Sequence, residues 1–302
     1  MNYAFGFARG DYVVVYDAED EPEPGQLRAA LAVFLDGPAD LACLQARLNI
    51  YNPTDSWLTR QFTIEYSALF DALLPALVRL GLPVPLGGTS NHFPVAVLRR
   101  LDGWDPYNVT EDADLGLRIS RLGGRVAVLD STTWEEAPPT LRIWIPQRTR
   151  WLKGFMQTWL VHMRSPRRLM SELGVVGFVG FQAFIGGIIL SALIYPIFVV
   201  VILADIASGE EMSMPPSQFG RILLGLQVFN LVGGYLSGTA IAGIAVARRG
   251  FRGMISAIAL MPFYWLLISF AAYRAAWQLI RNPYLWEKTP HRPRRSARRR
   301  RG

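Results

Sequence analysis

An abrupt change in composition near residue 172 is the feature that most constrains this chain. Residues 1–172 mix charged and apolar side chains as a soluble α/β domain does, whereas residues 173–280 carry few charges. Hydrophobic residues make up 51% of the 302 residues and charged residues 18%, and soluble domains average about 25% charged residues. We therefore expect an α/β domain over residues 1–160, a basic linker over 161–172 and membrane helices over 173–280.

Three long apolar stretches make up the second part, at about residues 173–204, 222–247 and 254–273. Each has roughly the 20 residues that a helix needs to cross hydrocarbon. Buried core helices are the alternative, which three such runs in succession disfavour. Pro262 and Arg274 suggest that the third stretch is kinked, re-entrant or interfacial, and the first could be a surface helix followed by a span.

Basic side chains beside these stretches predict the orientation. They are absent from residues 205–218, between the first two stretches, and they cluster at the opposite ends, at Arg164, Arg167, Arg168, Arg248, Arg249 and Arg252. Because positive charges favour the inner side of a membrane, we expect the first domain on the cytoplasmic face, of a bacterial membrane.

The net charge of +7 comes from an Arg-rich tail over residues 281–302. The last eleven residues of the tail hold seven arginines, and residues 1–291 are neutral in sum. Without an aromatic-rich basic stripe, we expect the tail to contact an anionic lipid surface and expect no nucleic-acid partner. Cys43 is the single cysteine, so an internal disulfide or thiolate metal cluster is excluded.

A first acidic cluster follows a short apolar run. Residues 12–16 have the pattern of a buried parallel strand, and Asp17, Glu19 and Asp20 come directly after it. Ligands bind at the carboxyl edge of open α/β sheets, and grouped carboxylates suit Mg²⁺ or Mn²⁺. An acidic turn entering a helix is the alternative, because Pro22 and Pro24 follow. The residues alone leave both interpretations open.

Further elements are read from hydrophobic periodicity. Residues 26–35 indicate an amphipathic helix, 41–49 a strand and 57–80 a long helix whose apolar side chains we assign to core packing.

A glycine-containing turn follows this helix, at residues 87–93. Two glycines before Thr89, Ser90 and Asn91 would let a ligand approach the backbone closely. His92 is a candidate base, but a structural hydrogen-bonding role is the favoured interpretation.

A second acidic cluster begins at Thr110, a candidate N-cap for a helix through Ser120. Glu111, Asp112 and Asp114 lie in its first turn, where carboxylates are favourable. Capping accounts for two of these acids. A third suggests a base that takes a proton from a hydroxyl nucleophile.

The last motif is Pro146-Gln147-Arg148-Thr149-Arg150-Trp151, at the predicted start of a helix. Gln147, Arg150 and Trp151 have the spacing of one helix face. Arginine can neutralise phosphate, and an indole offers a flat surface to a sugar ring. A membrane-proximal helix with an aromatic anchor is the alternative.

Taken in order, these motifs resemble the membrane-bound, processive-type branch of glycosyltransferase family 2, which includes the cellulose, chitin, hyaluronan and poly-N-acetylglucosamine synthases. The resemblance covers roughly residues 1–160, with membrane helices in the expected place. It implies an α/β fold in which a partial GT-A domain precedes a transmembrane helical region. It also implies inverting transfer from a nucleotide-sugar, usually a UDP-sugar, to a glycan acceptor.

The resemblance assigns roles to the motif residues. It implies that Asp17 and Glu19, with Asp20 beside them, hold the metal and diphosphate, although the family has Asp where this chain has Glu19. Asp112 matches the general base. The residues implied to line the diphosphate and acceptor are Gly88, Thr89, Ser90, Asn91, Glu111, Gln147, Arg150 and Trp151.

One departure concerns the strands that hold the nucleotide base in this family, which precede the acidic cluster. Only residues 1–9 precede the first predicted strand here, so we expect an N-terminally truncated chain or a gene-model fragment. We expect it to lack transferase activity when expressed alone. A catalytically inactive membrane paralogue acting as a partner subunit is the alternative function.

Overall fold

A five-stranded mixed sheet forms the centre of the first domain in the computed structural model, which describes residues 1–208 and 217–287. The strands are β1 (Tyr12–Val15), β2 (Glu21–Pro22), β3 (Leu41–Ile50), β4 (Asn91–Pro94) and β5 (Arg125–Glu135). Their spatial order is β1-β4-β3-β5-β2. β3 and β5 run parallel, and the other pairs are antiparallel. β3 is buried along nearly its whole length, so it forms the middle of the core.

Helices pack around this sheet and continue beyond it. In the described residues they are α1 (Asn2–Phe5), α2 (Gln26–Asp36), α3 (Trp57–Ala68), α4 (Leu74–Arg79), α5 (Val95–Arg100), α6 (Glu111–Arg121), α7 (Leu141–His162), α8 (Pro166–Phe181), α9 (Gly187–Ser208), α10 (Gln218–Arg248), α11 (Ile255–Ala259) and α12 (Met261–Arg281). Short π-helical segments join α3 to α4 at Leu69–Leu73 and α8 to α9 at Gln182–Gly186.

The elements predicted from periodicity are confirmed. α2 and β3 match the predicted helix and strand, and α3 continues through its π segment into α4, as the long helix over 57–80 requires. α3 starts at Ser56 with a capping box, in which Ser56 and Thr59 exchange side-chain to backbone hydrogen bonds. Phe62 of α3 and Phe70 of the π-helical segment lie in the main core.

Two local predictions are wrong. β1 is an antiparallel strand at the sheet edge, paired with β4, rather than a buried parallel strand. A four-residue apolar run does not encode strand direction, and here it reflects partial burial at an edge. The helix that carries Arg150 begins at Leu141, so Pro146 lies inside it. The helix tolerates this because proline removes just one backbone hydrogen bond near its start.

Two helical segments are long and apolar enough to cross a membrane, Pro166–Ala204 and Gln218–Arg248. Within α8 the backbone breaks at Gly174, where φ is 69° and ψ is 170°. The break separates a basic first part from the apolar remainder, in accord with the alternative of a surface segment followed by a span. The acidic segment of residues 209–216 and the Arg-rich tail beyond Glu287 lie outside the described residues.

A third spanning helix, predicted over 254–273, is not found among the described residues. The stretch is divided into α11 and α12, and neither qualifies as a span. α12 packs against α7 and α9, and it places Tyr264, Ala271 and Ala275 in the main core. The predicted stretch ended at residue 273, before the polar last part of α12. In that part Gln278 is buried and Arg274 forms an ion pair.

Candidate active site

The first acidic cluster forms a turn that follows the edge strand β1. Asp20 Oδ2 accepts a hydrogen bond from the Asp17 amide at 2.8 Å, which closes the turn on itself. The Thr89 hydroxyl also bonds to Asp20 and accepts from the Asp17 amide at 3.2 Å. The structure therefore brings the acidic cluster and the glycine-containing turn together, as their roles in one site require.

In the glycine-containing turn, three of the four residues 88–91 support the structure. Thr89, Ser90 and Asn91 are buried. Ser90 bonds to Thr133 Oγ1 at 2.7 Å, and the Asn91 amide donates to the Gly87 carbonyl. These bonds explain how Ser90 is held at a φ of 58°, which non-glycine residues rarely adopt.

Gly88 is exposed and faces the second acidic cluster. A β-carbon at this position would lie 3.1 Å from Asp112 Oδ2. The absence of a side chain keeps the space beside the Asp112 carboxylate open, so the turn meets the site through its backbone.

Asp112 lies in the first turn of α6, where its Oδ1 accepts from the Ala113 amide at 2.8 Å. Burial, reinforced by the negative charge of Glu111, raises the pKa of Asp112 to about 7. A carboxylate with such a pKa can act as a base near neutral pH. Thr110 precedes the helix but does not cap it through its side chain, and its hydroxyl instead lies 3.4 Å from Asn108 Oδ1.

Arg150 comes from α7 and faces both acidic clusters. Burial lowers the pKa of its guanidinium, and the charges of Asp112, Glu111 and Asp17 oppose that change. Its Nε is buried and has no hydrogen-bond partner among residues 1–208 and 217–287. A buried guanidinium donor beside carboxylates that already repel one another is suited to an anionic ligand bound between them.

Trp151 and Gln147 lie on the same helix with different surroundings. The half-buried Trp151 ring packs near Phe62 and Tyr66, at centroid distances of 5.8 and 6.4 Å, and the Arg148 guanidinium lies 4.8 Å from its centroid. One part of the indole is thus already engaged by the protein. Gln147 is half-buried on α7 and completes the motif.

Sequence reasoning missed Arg148, which is the structural arginine of the motif. It pairs with Glu65 through both guanidinium nitrogens, at 2.5 and 2.7 Å, and donates to the Tyr264 hydroxyl at 3.0 Å. Burial opposes the charge of Arg148, yet Glu65 and its other neighbours keep its pKa above the usual arginine value. Nothing in an Arg-Thr-Arg spacing shows which arginine is paired, so this contact could be found only from the fold.

Glu135 is a second missed residue, at the end of β5. Burial and the charges of Asp20, Asp17 and Glu19 raise its pKa well above the usual value. The β3–β5 register pairs it with Ile50, which brings it to the end of the sheet where the acidic turn lies. The one available signal was its place at the carboxyl end of a predictable strand.

A third missed feature is the segment after α12, residues 282–287. Trp286 stacks on the Arg150 guanidinium at 5.7 Å, and Lys153 donates to the Leu285 carbonyl at 2.5 Å. Glu287 receives two hydrogen bonds from Arg274, each 2.6 Å long. The segment therefore lies against the helix that carries Arg150.

His92, the candidate base of the turn, is a structural residue. Its Nδ1 lies 3.3 Å from the Leu44 carbonyl and its Nε2 lies 3.5 Å from the Tyr16 hydroxyl. Burial lowers its pKa, which keeps the ring neutral.

The site thus brings together Asp17, Gly88, Asp112 and Arg150, which come from two turns and two helices. The family model for glycosyl transferase family group 2 matches residues 12–280. The chain belongs to glycosyl transferase family group 2. This family 2 chain has the GT-A-like α/β fold, with two candidate membrane-spanning helices after the domain.

Relatives of known description agree with the family. The probable glycosyltransferase YdaM of Bacillus subtilis is 26% identical over 212 residues, which are 68% of this chain and 49% of YdaM. Glucomannan 4-beta-mannosyltransferase 2 of Arabidopsis thaliana is 29% identical over 147 residues, which are 48% of this chain and 27% of that protein. The family 2 chain therefore spans about half, or less, of these relatives.

A solved structure shares the fold. The mannosyltransferase PcManGT from Pyrobaculum calidifontis, in complex with GDP-Man and Mn2+, superposes with a TM-score of 0.55 at 16% identity, over 92% of this chain and 65% of that one. At this identity the likeness establishes the fold.

Proposed function

We propose that this family 2 chain carries out inverting transfer of a hexosyl unit from a nucleotide-diphosphate sugar to a glycan hydroxyl. The observation that carries the proposal is the position of Asp112, with a pKa of about 7, between the backbone of Gly88 and the guanidinium of Arg150, whose buried Nε has no partner in the described part of the chain. A base and an anion-binding group on the same side of the acidic turn are what such a transfer needs.

The reaction follows from this arrangement. Asp112 takes the proton of the acceptor hydroxyl as the oxygen bonds to the anomeric carbon, and the bond from that carbon to the diphosphate breaks on the opposite side. Attack opposite the leaving group inverts the configuration. Negative charge grows on the departing nucleoside diphosphate, and Arg150 stabilises it through its Nε, a donor that no described residue engages.

Asp17, Glu19 and Asp20 would hold a divalent metal, Mg²⁺ or Mn²⁺, whose charge would offset that of the diphosphate. The donor chemistry fits, because carboxylate oxygens are hard ligands and the charges of these acids add to burial in raising the pKa of Glu135. In the described residues no three such side chains are arranged around one point. Asp20 is instead bonded to Thr89 and the Asp17 amide.

Two donor classes are the first to test. The resemblance to processive synthases favours a UDP-sugar. The mannosyltransferase names among the relatives, and the GDP-Man bound in PcManGT, favour GDP-mannose. We place GDP-mannose first, because the glucomannan mannosyltransferases align with nearly half of this chain at 26–29% identity.

The membrane location belongs to the same proposal. We propose that α8–α9 and α10 anchor the domain in a bacterial cytoplasmic membrane, with the site on the cytoplasmic face and the processive, membrane-bound branch as the nearest type. Their exposed surfaces are apolar, including Val175, Val200 and Phe229, and the basic start of α8 lies on the side of the domain.

A donor panel on the purified 302-residue chain, reconstituted in lipid vesicles, tests the function. Nucleoside diphosphate release and sugar incorporation would be measured with GDP-mannose and several UDP-sugars, with Mn²⁺, Mg²⁺ or chelator. The proposal predicts that one donor is turned over, with activity lost on chelation and restored by metal, which would overturn the expectation from the sequence that the chain is inactive when expressed alone. If no donor is either bound or turned over, the proposed transfer is wrong for this chain.

A further inference from the structure

Behind Asp112, a group of buried polar contacts joins α6 to the C-terminal half of α7. We call it the clamp, and it consists of Asn108, Val109, Asp114, Gln157, Thr158 and His162. Asn108 donates to Thr158 Oγ1 at 2.8 Å, and the Val109 amide donates to Gln157 Oε1 at 3.1 Å. These contacts fix the turn that precedes α6.

The strongest contact of the clamp is a buried pair. His162 Nε2 lies 2.8 Å from Asp114 Oδ1, and the side chains are only 2% and 3% exposed. Asp114 Oδ2 also accepts from Arg118 at 2.7 Å. Although burial would raise its pKa, these partners hold the pKa of Asp114 below the usual value. The acid is therefore ionised and committed to the fold.

The ring of His162 is held in one tautomer. Arg121 Nη1 lies 2.7 Å from His162 Nδ1. Because a guanidinium can only donate hydrogen bonds, Nδ1 must accept and Nε2 must carry the hydrogen that Asp114 receives. Arg121 also bonds to Glu172 of α8 at 2.5 Å. The contacts thus continue from α6 through α7 to the helix that leads into the first candidate span.

In the described residues, the Asp112 side chain has one hydrogen bond, to the Ala113 amide within α6. It lies beside Gly88, which has no side chain, and near the charge of Arg150. The position of its carboxylate therefore depends on where the first turn of α6 sits. Asp114 is in that same turn, two residues further on, and points to the opposite side.

α7 carries both Arg150, which faces Asp112, and His162, which bonds to Asp114. Arg150 is in its first half, and His162 lies twelve residues later, about 18 Å along the helix at 1.5 Å per residue. His162 is thus too distant to touch a substrate bound at Arg150, yet it sets the position of α6 relative to α7.

We propose that His162 is a positioning residue, which holds the Asp112 carboxylate in its working position relative to Arg150 through the buried bond to Asp114. The inference rests on the proposed function for its catalytic consequence. Its structural content, that His162 fixes the first turn of α6, does not depend on it.

Two substitutions of His162 separate positioning from packing. The amide nitrogen of glutamine can replace Nε2 and reach Asp114, whereas the shorter asparagine cannot. We expect His162→Asn to lower kcat by roughly 100-fold, the scale of a 1 Å misplacement at a reacting group. The donor KM should stay unchanged, since Arg150 and the acidic turn remain in place. His162→Gln should recover most of kcat, and Arg167→Gln, exposed on α8, is the matched control.

Three outcomes would overturn the proposal. One is wild-type kcat in His162→Asn. Another is an equal loss in the asparagine and glutamine variants, and the third is a rise in KM that matches the fall in kcat, since either of these would mean a general loss of structure.

Hydrogen–deuterium exchange gives a readout that does not need activity. His162→Asn should speed exchange at the amides of residues 111–115 and leave α3 unchanged, while His162→Gln should not. If the wild-type chain transfers no sugar, the proposed function fails, and this measurement still decides the inference. Unchanged exchange in α6, or faster exchange throughout the domain, would refute it.

Discussion

The two acidic clusters of the domain have similar residues and opposite surroundings. In the turn after β1, Asp17 and Asp20 act on another carboxylate, Glu135, whose pKa is raised first by burial and then by their charges. In α6, by contrast, Asp114 faces the cationic and hydrogen-bonding groups of Arg118 and His162. Asp114, which is hydrogen-bonded to two basic side chains, is thus committed to the fold, whereas the carboxylates of the turn lie close to one another, an arrangement that suits a positive ligand or a proton.

The contrast also holds within α6, over a distance of two residues. Asp112 and Asp114 project from different sides of the helix, because successive residues are about 100° apart. The pKa of Asp112 rises to about 7, while that of Asp114 falls below its usual value. One turn of helix therefore holds the proposed base and an anchor for the fold.

Replacing the base is the largest expected effect. Asp112→Asn removes proton acceptance and preserves shape, so we expect kcat to fall by about 10²- to 10⁴-fold, the range for a lost general base. Donor binding, measured by calorimetry, should change little because Arg150 and the acidic turn are untouched.

Asp102→Asn is a suitable control for that experiment. Asp102 is exposed and has a φ of 57°, which asparagine also tolerates. If Asp112→Asn transferred sugar at the rate of this control, Asp112 would not be the base, and the division of roles between Asp112 and Asp114 would be wrong.

Breaking the anchor should cost stability. Asp114→Asn removes the charge that Arg118 and His162 face, and loss of one partner from a buried pair costs about 3–5 kcal/mol. Because the folded-state pKa is lowered, the stabilising charge is fully present above the unfolded pKa of about 3.9 and is lost as pH falls through the folded value. Thermal unfolding in detergent should therefore show a large gap between wild type and variant at neutral pH that narrows in acid. A gap that widened in acid would contradict the assignment.

How much of this could be read from the sequence differs between the clusters. The motif spacing predicts that Asp17 follows a strand and that Asp112 and Arg150 lie on helices, where the structure has them, and hydrophobic periodicity gives α2, β3 and α3. The role of Asp114 could not be read, because its partner His162 is 48 residues away along the chain. Which acid is paired depends on which helix lies beside it.

The edge position of β1 and the docking of α12 were hidden for the same reason. A short apolar run looks the same at an edge as in the middle of a sheet. The apolar stretch ending near Tyr273 resembles a span until the buried contacts of Gln278 and Tyr264 with the domain are known. Pairing and burial depend on distant residues, whereas composition and local spacing do not.

The pH dependence of the rate sharpens the comparison with a smaller effect. In the proposed mechanism Asp112 acts when deprotonated, so kcat should rise with pH and reach half its maximum near the pKa of about 7. After burial, the charge of Glu111 is the main cause that raises this pKa. Glu111→Gln should therefore move the inflection to lower pH. An inflection that did not move, measured at saturating donor, would remove Glu111 from the environment of the base.

The smallest effect concerns which acid of the first turn is the second metal ligand. Glu19→Asp restores the Asp-x-Asp spacing and shortens the side chain by one methylene. We expect less than about threefold change in the metal concentration for half-maximal activity, as for substitutions worth about 0.5 kcal/mol. Asp17→Asn should shift it by about 10- to 100-fold, the scale of altered metal sites.

Asp20→Asn decides between the two candidates. Asp20 already accepts from the Asp17 amide and from Thr89, so its first role in the structure is to hold the turn. If Glu19 is the ligand, Asp20→Asn should weaken metal binding less than Glu19→Gln does. The reverse order would mean that Asp20 exchanges its bond to Thr89 for the metal. The turn would then combine in one side chain the two roles that α6 divides between Asp112 and Asp114.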